Sequence, residues 1–117
     1  MIVKKNWMYY FKNANEYNIQ LLINYKKSLQ YKGVSENTIF EYQKSVYNFM
    51  LYLQQKDIKT LDATIEILSE YMDSLDISEG RRGSLLTALN QFYELNARKK
   101  YCKENIVEKY KYNVTNK

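Results

Sequence analysis

Gly33-Val-Ser35-Glu-Asn37-Thr38-Ile39-Phe-Glu41-Tyr42-Gln-Lys44-Ser-Val46-Tyr-Asn-Phe49-Met50-Leu-Tyr-Leu53 is the stretch that decides the fold. Its apolar positions Ile39, Tyr42, Val46, Phe49, Met50 and Leu53 recur at three- and four-residue steps, one stripe of an amphipathic helix. The spacing predicts a helix over about Glu36–Gln55. Gly33 breaks the segment before it, and Ser35 or Asn37 is placed to cap its free backbone N–H groups. The start carries short hydrogen-bonding side chains, Ser35, Asn37 and Thr38, and a helix N-terminus bearing such groups suits a phosphate.

The same periodicity extends both ways. A helix is predicted from Tyr17 to Tyr31, with Ile19, Leu22, Tyr25 or Lys26, and Leu29 along one side and Gly33 at the C′ position where positive φ is needed. Lys56-Asp57-Ile58-Lys59 makes a turn. A third helix runs from about Thr64, a plausible N-cap, to Asp73 or Leu75, on a stripe of Ile65, Leu68, Met72 and Leu75. A fourth begins near Ser78 or Glu79 and ends near Lys99, with Leu85, Ala88, Leu89, Phe92 and Leu95 or Asn96 inward. Gly80 and Gly83 either weaken its first turn or let backbone approach a ligand closely. A shorter helix is predicted over Lys103 to Tyr112. No strand-like alternation is sustained.

The expected fold is therefore all-α: a compact bundle of four main helices, each burying its stripe against another, with short extra helices at the ends. Residues 17–103 form the helical domain and 104–117 a short helix and tail. Residues 1–16, aromatic and basic, are an N-terminal extension, either a short helix that docks its rings or a mobile arm.

What the chain lacks narrows its chemistry. It has no His, no Pro and a single Cys, Cys102. Acid–base and nucleophilic sites working near neutral pH mostly use His, and metal sites mostly use His or paired Cys. No disulfide, metal or cofactor is expected, and Cys102 reads as a small semi-buried hydrophobe. A lone thiol suits a reducing compartment, and no apolar run has the length of a signal peptide or membrane span, so a soluble cytoplasmic protein is expected.

The net charge of +5 is unevenly spread. Residues 1–33 and 80–117 are basic, whereas 64–79 carry five acids and no base. One positive and one negative face follow. The positive face fits a phosphate-backbone binder, or ordinary lysine-rich solubilisation.

Leu29-x-x-x-Gly33-x-Ser35-x-x-Thr38-Ile39-x-x-Tyr42-x-x-x-Val46-x-x-Phe49-x-x-Tyr52-Leu53 resembles the start of the core-binding domain of tyrosine recombinases, the SAM-like N-terminal DNA-binding domain of phage and transposon integrases. Thr64-x-Glu66-Ile67-x-x-Tyr71-Met72-x-x-Leu75 looks like that family's third helix, and Ala88-Leu89-x-x-Phe92-Tyr93 like its fourth. The resemblance covers about residues 18 to 103. Glu104-Asn105-Ile106 stands where the family usually has Asn-Pro. The family's catalytic domain, with its His-containing boxes and nucleophilic Tyr, has no counterpart in this sequence, so no enzymatic activity is expected.

The resemblance implies one half of a clamp on double-stranded DNA, gripped through the second and fourth helices. Carried over by position, the second helix offers Ser35, Asn37, Thr38, Glu41 and Lys44, with Tyr42 divided between packing and phosphate contact. The fourth offers Arg81, Arg82, Ser84, Thr87, Asn90 and Gln91. Arg81, Arg82 and Ser84 stand at a helix start, where dipole, N–H groups and guanidinium favour phosphate; both arginines are expected to be exposed. Asn90 and Gln91 have the chemistry to read adenine edges, and Arg81 or Arg82 guanine, or they are solvated surface residues. Arg98, Lys99, Lys100 and Lys103 form a basic run suited to backbone contact.

Three functions follow in order. The first is the DNA-binding domain of an integrase, a monomer when free that meets other recombinase protomers on DNA. The second is a free-standing mobile-element protein of the same fold that binds protein as inhibitor or adaptor, through the acidic third helix (Glu66, Glu70, Asp73, Asp76) or the Tyr-rich N-terminal segment. The third, a helix-turn-helix regulator, lacks the short helix pair and tight turn it needs.

Overall fold

The structure, a computed structural model, describes residues 9–115. Residues 1–8, with Trp7, Lys4 and Lys5 of the extension, and 116–117 lie outside the described residues. After a turn in which Tyr9 and Tyr10 are helical, five helices follow: α1 (Glu16–Tyr31), α2 (Glu36–Gln55), α3 (Ile65–Ser74), α4 (Glu79–Arg98) and α5 (Ile106–Thr115). A 3-10 turn, Thr60–Asp62, joins α2 to α3. The protein is all-helical, with no strand among the described residues. None of these helices is long and apolar enough to cross a membrane.

Each helix starts where a short polar side chain takes an orphan N–H. Asn15, Ser35, Thr64 and Ser78 accept from the amides of Asn18, Thr38, Ile67 and Arg81. Of the two candidates at α2 the cap is Ser35; Asn37 lies inside the first turn and is exposed. Asn105 caps α5, its Oδ1 accepting from Val107 N–H at 3.0 Å. The C-terminal ends of α1, α2 and α4 close by one shared geometry, in which the amide two residues past the cap reaches back to the carbonyl five residues earlier. The pairs are Val34 N–H to Leu29 O, Ile58 N–H to Leu53 O and Tyr101 N–H to Asn96 O. The residue between cap and returning amide must take positive φ. At α1 it is Gly33 (φ 82°), but at α2 it is Asp57 (58°) and at α4 Lys100 (65°).

The stripes meet in one core. Leu22, Tyr25 and Leu29 of α1, Val46, Phe49, Met50 and Leu53 of α2, Leu68 and Met72 of α3, and Leu89 and Phe92 of α4 are buried together. The two flanks belong to the same core. Phe11 is 0% exposed and sets its ring edge-on to Tyr47 at 5.0 Å. Ile106 and Val107 of α5 are buried against α3 and α4. The boundaries expected after residues 16 and 103 therefore mark no break in the packing, and the described part of the N-terminal segment docks Phe11 in the core and Tyr10 at its edge while Tyr9 stays exposed.

Polar groups inside the bundle are all partnered among the described residues. Thr60 hydroxyl donates to Asn18 Oδ1 at 2.6 Å, and Asn18 Nδ2 donates to Gln54 Oε1 at 2.8 Å. Gln54 Nε2 donates to Asn13 O at 3.1 Å, while Tyr93 hydroxyl donates to Thr60 O at 2.7 Å. This chain of bonds ties the N-terminal segment, α1, α2 and α4 through the 3-10 turn. Buried Gln43 donates from Nε2 to Leu22 O at 3.0 Å, and Tyr25 hydroxyl to Ala88 O at 2.8 Å.

Candidate nucleic-acid interface

The first halves of α2 and α4 and the end of α3 converge on an open groove of about 470 Å³. Tyr42, Ser45 and Asn48 line it from α2, Tyr71 from α3, and Arg81 and Ser84 from α4. Tyr42 is half-buried in this wall, which accommodates both of its expected roles. Tyr71 is buried, and desolvation, with a smaller contribution from neighbouring Tyr52, pushes its hydroxyl up to about 12, so it is a neutral donor at any physiological pH.

At the start of α2 the predicted residues are mostly spent on the helix itself. Ser35 Oγ accepts from Thr38 N–H at 3.3 Å and its hydroxyl donates to Thr38 Oγ1 at 3.0 Å. Lys44 Nζ lies 3.1 Å from Glu41 Oε2 and 5.3 Å from the centre of the Phe40 ring. Asn37 alone of this group is exposed with no partner among the described residues.

The two arginines at the start of α4 part company. Arg81 is exposed, and its guanidinium has no partner among the described residues. Arg82 is half-buried and fully engaged: Nη1 donates to Met72 O and Nη2 to Leu75 O, each at 2.9 Å. Its charge closes the C-terminal end of α3, where the carbonyls are unsatisfied and the helix dipole favours a cation. The expectation of two exposed arginines is corrected accordingly. Helical phase explains the split, because consecutive residues point about 100° apart and only the second faces α3. Replacing Arg82 with Ala should cost about 1.5–3 kcal/mol, the value of hydrogen bonds to a charged group. Arg81→Ala should stay within about 0.5 kcal/mol, as for an unengaged surface site. Urea melts of the two variants make the comparison, and equal midpoints would show that Arg82 is not a structural clamp.

Asn90 also leaves the predicted set. Its Oδ1 accepts from Asn105 Nδ2 at 2.7 Å, so it faces α5. It stands about 180° round the helix from Arg81, at 100° per residue. What α4 does present is a polar face at helical spacing. Ser84, Thr87 and Arg98 are exposed and Gln91 half-exposed. Ser84, Gln91 and Arg98 fall seven residues apart, so they align along one side over about 21 Å at 1.5 Å per residue. Thr87 hydroxyl donates to Gly83 O at 2.9 Å. Glu94 is the acid on this face. Lys99, Lys100 and Lys103 continue the positive charge past the helix end, all exposed.

Cys102 is half-buried; desolvation raises its thiol above the ordinary range and its Sγ donates to Glu104 O at 3.5 Å. It is a protonated packing group at neutral pH rather than a nucleophile. Asn18, Gln43 and Thr60, buried and polar, escaped the sequence reading, and so did Asn15 and Asn105 as caps; Leu95 and Asn96, alternatives for the inner face of α4, are both buried, and Asn105 followed by an apolar pair is a signal that marks such a cap. Comparison with family models, with curated proteins and with solved structures finds no match for this chain.

Proposed function

We propose that the protein binds duplex DNA, laying the exposed face of α4 along the major groove with the start of α2 beside it, in the manner of a tyrosine-recombinase core-binding domain. The observation that carries this reading is the α4 face itself. It is a polar stripe of small and amide side chains, Ser84, Thr87 and Gln91, held between a free cation at one end, Arg81, and a basic run at the other, Arg98 to Lys103. An α-helix fits the major groove, amide side chains pair with adenine edges, and flanking cations fix the register on phosphates. The order of the helices and their short connections support the family reading. In this role the protein acts in the cytoplasm as a monomer until it meets DNA, and it performs no bond-making step.

Binding should be weak and salt-dependent, since one clamp half neutralises few phosphates. For six contacts log K should fall against log salt with a slope of about −5, and Arg81→Ala should reduce that slope by about one. Thr87→Glu, which sets a carboxylate on the face, should weaken binding by more than about tenfold. Fluorescence anisotropy on a hairpin duplex measures all three. Affinity indifferent to salt and to both substitutions would overturn the reading in favour of a protein partner. The acids of α3 support that second reading: Glu66, Glu70 and Asp73 are exposed and carry no ion pair among the described residues.

A further inference from the structure

The C-terminal ends of α1 and α4 enclose a second groove, of about 370 Å³, at the far end of α4 from Arg81. Lys27, Ser28 and Tyr31 line it from α1, and Arg98, Lys99 and Tyr101 from the end of α4. No carboxylate lines it. Elsewhere among the described residues, most tyrosine rings meet a cation or another ring. Lys12 sits over Tyr9, Lys56 over Tyr52 and Lys59 over Tyr17, while Tyr10, Tyr25, Tyr47, Tyr71 and Tyr93 pack against other rings. The two tyrosines of this groove are different. Tyr31 is 94% exposed and Tyr101 59%, and among the described residues neither ring meets another ring or a cation. Lys27, Arg98 and Lys99 are likewise without an ion pair there.

We propose that this groove binds a single-stranded nucleic-acid segment, with bases stacked on Tyr31 and Tyr101 and the backbone phosphates against Lys27, Arg98 and Lys99. Uncovered tyrosine faces cost apolar surface in water, and a ligand that offers flat π-faces at intervals along an anionic chain covers both needs together. A duplex does not, because its bases are already stacked on one another inside the helix. An acidic peptide would answer the cations but leave the rings bare. Ser28 adds a hydroxyl at the groove wall suited to a phosphate oxygen. The proposal is separable from the duplex grip, in which Tyr31, Tyr101 and Lys27 take no part. Arg98 and Lys99 border both surfaces and are left unchanged in the test.

The probe is a fluorescein-labelled thymidine oligonucleotide of about 12 nucleotides, within the span that single-strand sites cover, titrated against the full chain beside a hairpin duplex. Tyr31→Ala and Tyr101→Ala should each weaken strand binding by about tenfold, whereas Tyr31→Phe, which keeps the ring, should bind like the parent. Lys27→Ala should reduce the salt slope for the strand by about 0.7, one phosphate's worth. Hairpin binding should be unchanged by all four. These side chains are surface groups, and melts verify that the variants fold. Strand affinity that survives both alanine substitutions overturns the proposal. So does sedimentation velocity showing that the parent self-associates and Tyr31→Ala does not, which would assign the rings to a contact between copies. Failure of the duplex reading shows separately, through Arg81→Ala and Thr87→Glu on the hairpin.

Discussion

Stability should hold level from about pH 6 to pH 9 and fall steeply above about pH 10, where tyrosines ionise. The chain has no His, so few groups change charge across neutrality. Its buried tyrosines decide what happens above. Burial raises the hydroxyls of Tyr25 and Tyr93 well beyond the ordinary value of 10.0, and that of Tyr71 to about 12. Tyr25 and Tyr93 also donate to backbone carbonyls, a bond that exists only while the proton stays on. Above pH 10 the unfolded chain therefore loses protons that the native state keeps. The native state then binds more protons than the unfolded one, so stability declines as pH rises. The contribution of these groups is fully present below the unfolded value of 10.0 and is lost progressively as pH climbs through the raised native values. Each adds a slope of up to about 1.4 kcal/mol per pH unit, so three together approach about 4 kcal/mol per unit. Against a total of about 5–15 kcal/mol for a small domain, that slope is a large share of the whole. Urea midpoints measured in half-unit steps provide the check. A midpoint that stays level through pH 11.5 would mean the hydroxyls reach water in the native state.

Phe92→Ala should cost about 3–5 kcal/mol, the range for removing a buried aromatic ring. Phe92 is 0% exposed and stands edge-on to two neighbours, Tyr25 at 5.5 Å and Tyr93 at 5.0 Å. Its loss opens a cavity where α1 meets α4 and unseats two rings whose hydroxyls anchor backbone carbonyls. The damage should therefore exceed the simple transfer value of a phenyl group, and any loss of nucleic-acid binding should follow the unfolded fraction. Guanidinium melts with matched anisotropy titrations test both parts. A loss under 1 kcal/mol would mean that the neighbouring rings collapse into the space.

Much of this architecture lies open in local sequence. The caps at Ser35, Thr64 and Ser78 and the full extent of α2 depend on residues a few positions apart, and periodicity records exactly that range of interaction. The break at Gly33 was legible because glycine advertises positive φ; Asp57 and Lys100 adopt the same backbone without advertising it. Long-range pairing was hidden. Nothing near Asn18 in sequence reveals that its partners are Gln54 and Thr60, and nothing near Phe11 reveals the ring of Tyr47. At the proposed interface the residue types were readable but their directions were not. Arg81 and Arg82 are chemically identical neighbours, and only the position of α3 assigns one to solvent and the other to the fold. Asn90 likewise turns to Asn105 because the short last helix docks against α4, a placement that its own periodicity does not reveal.

The grip of Arg82 on Met72 O and Leu75 O has a kinetic corollary. The first five residues of α4 include Gly80 and Gly83 and would fray if they stood alone. Fastened to α3, they keep their shape before any ligand arrives. The entropy of ordering them is spent at folding, so a partner meeting Arg81 and Ser84 encounters a finished surface. Encounter would then be governed by diffusion, orientation and charge steering, with no slow rearrangement interposed.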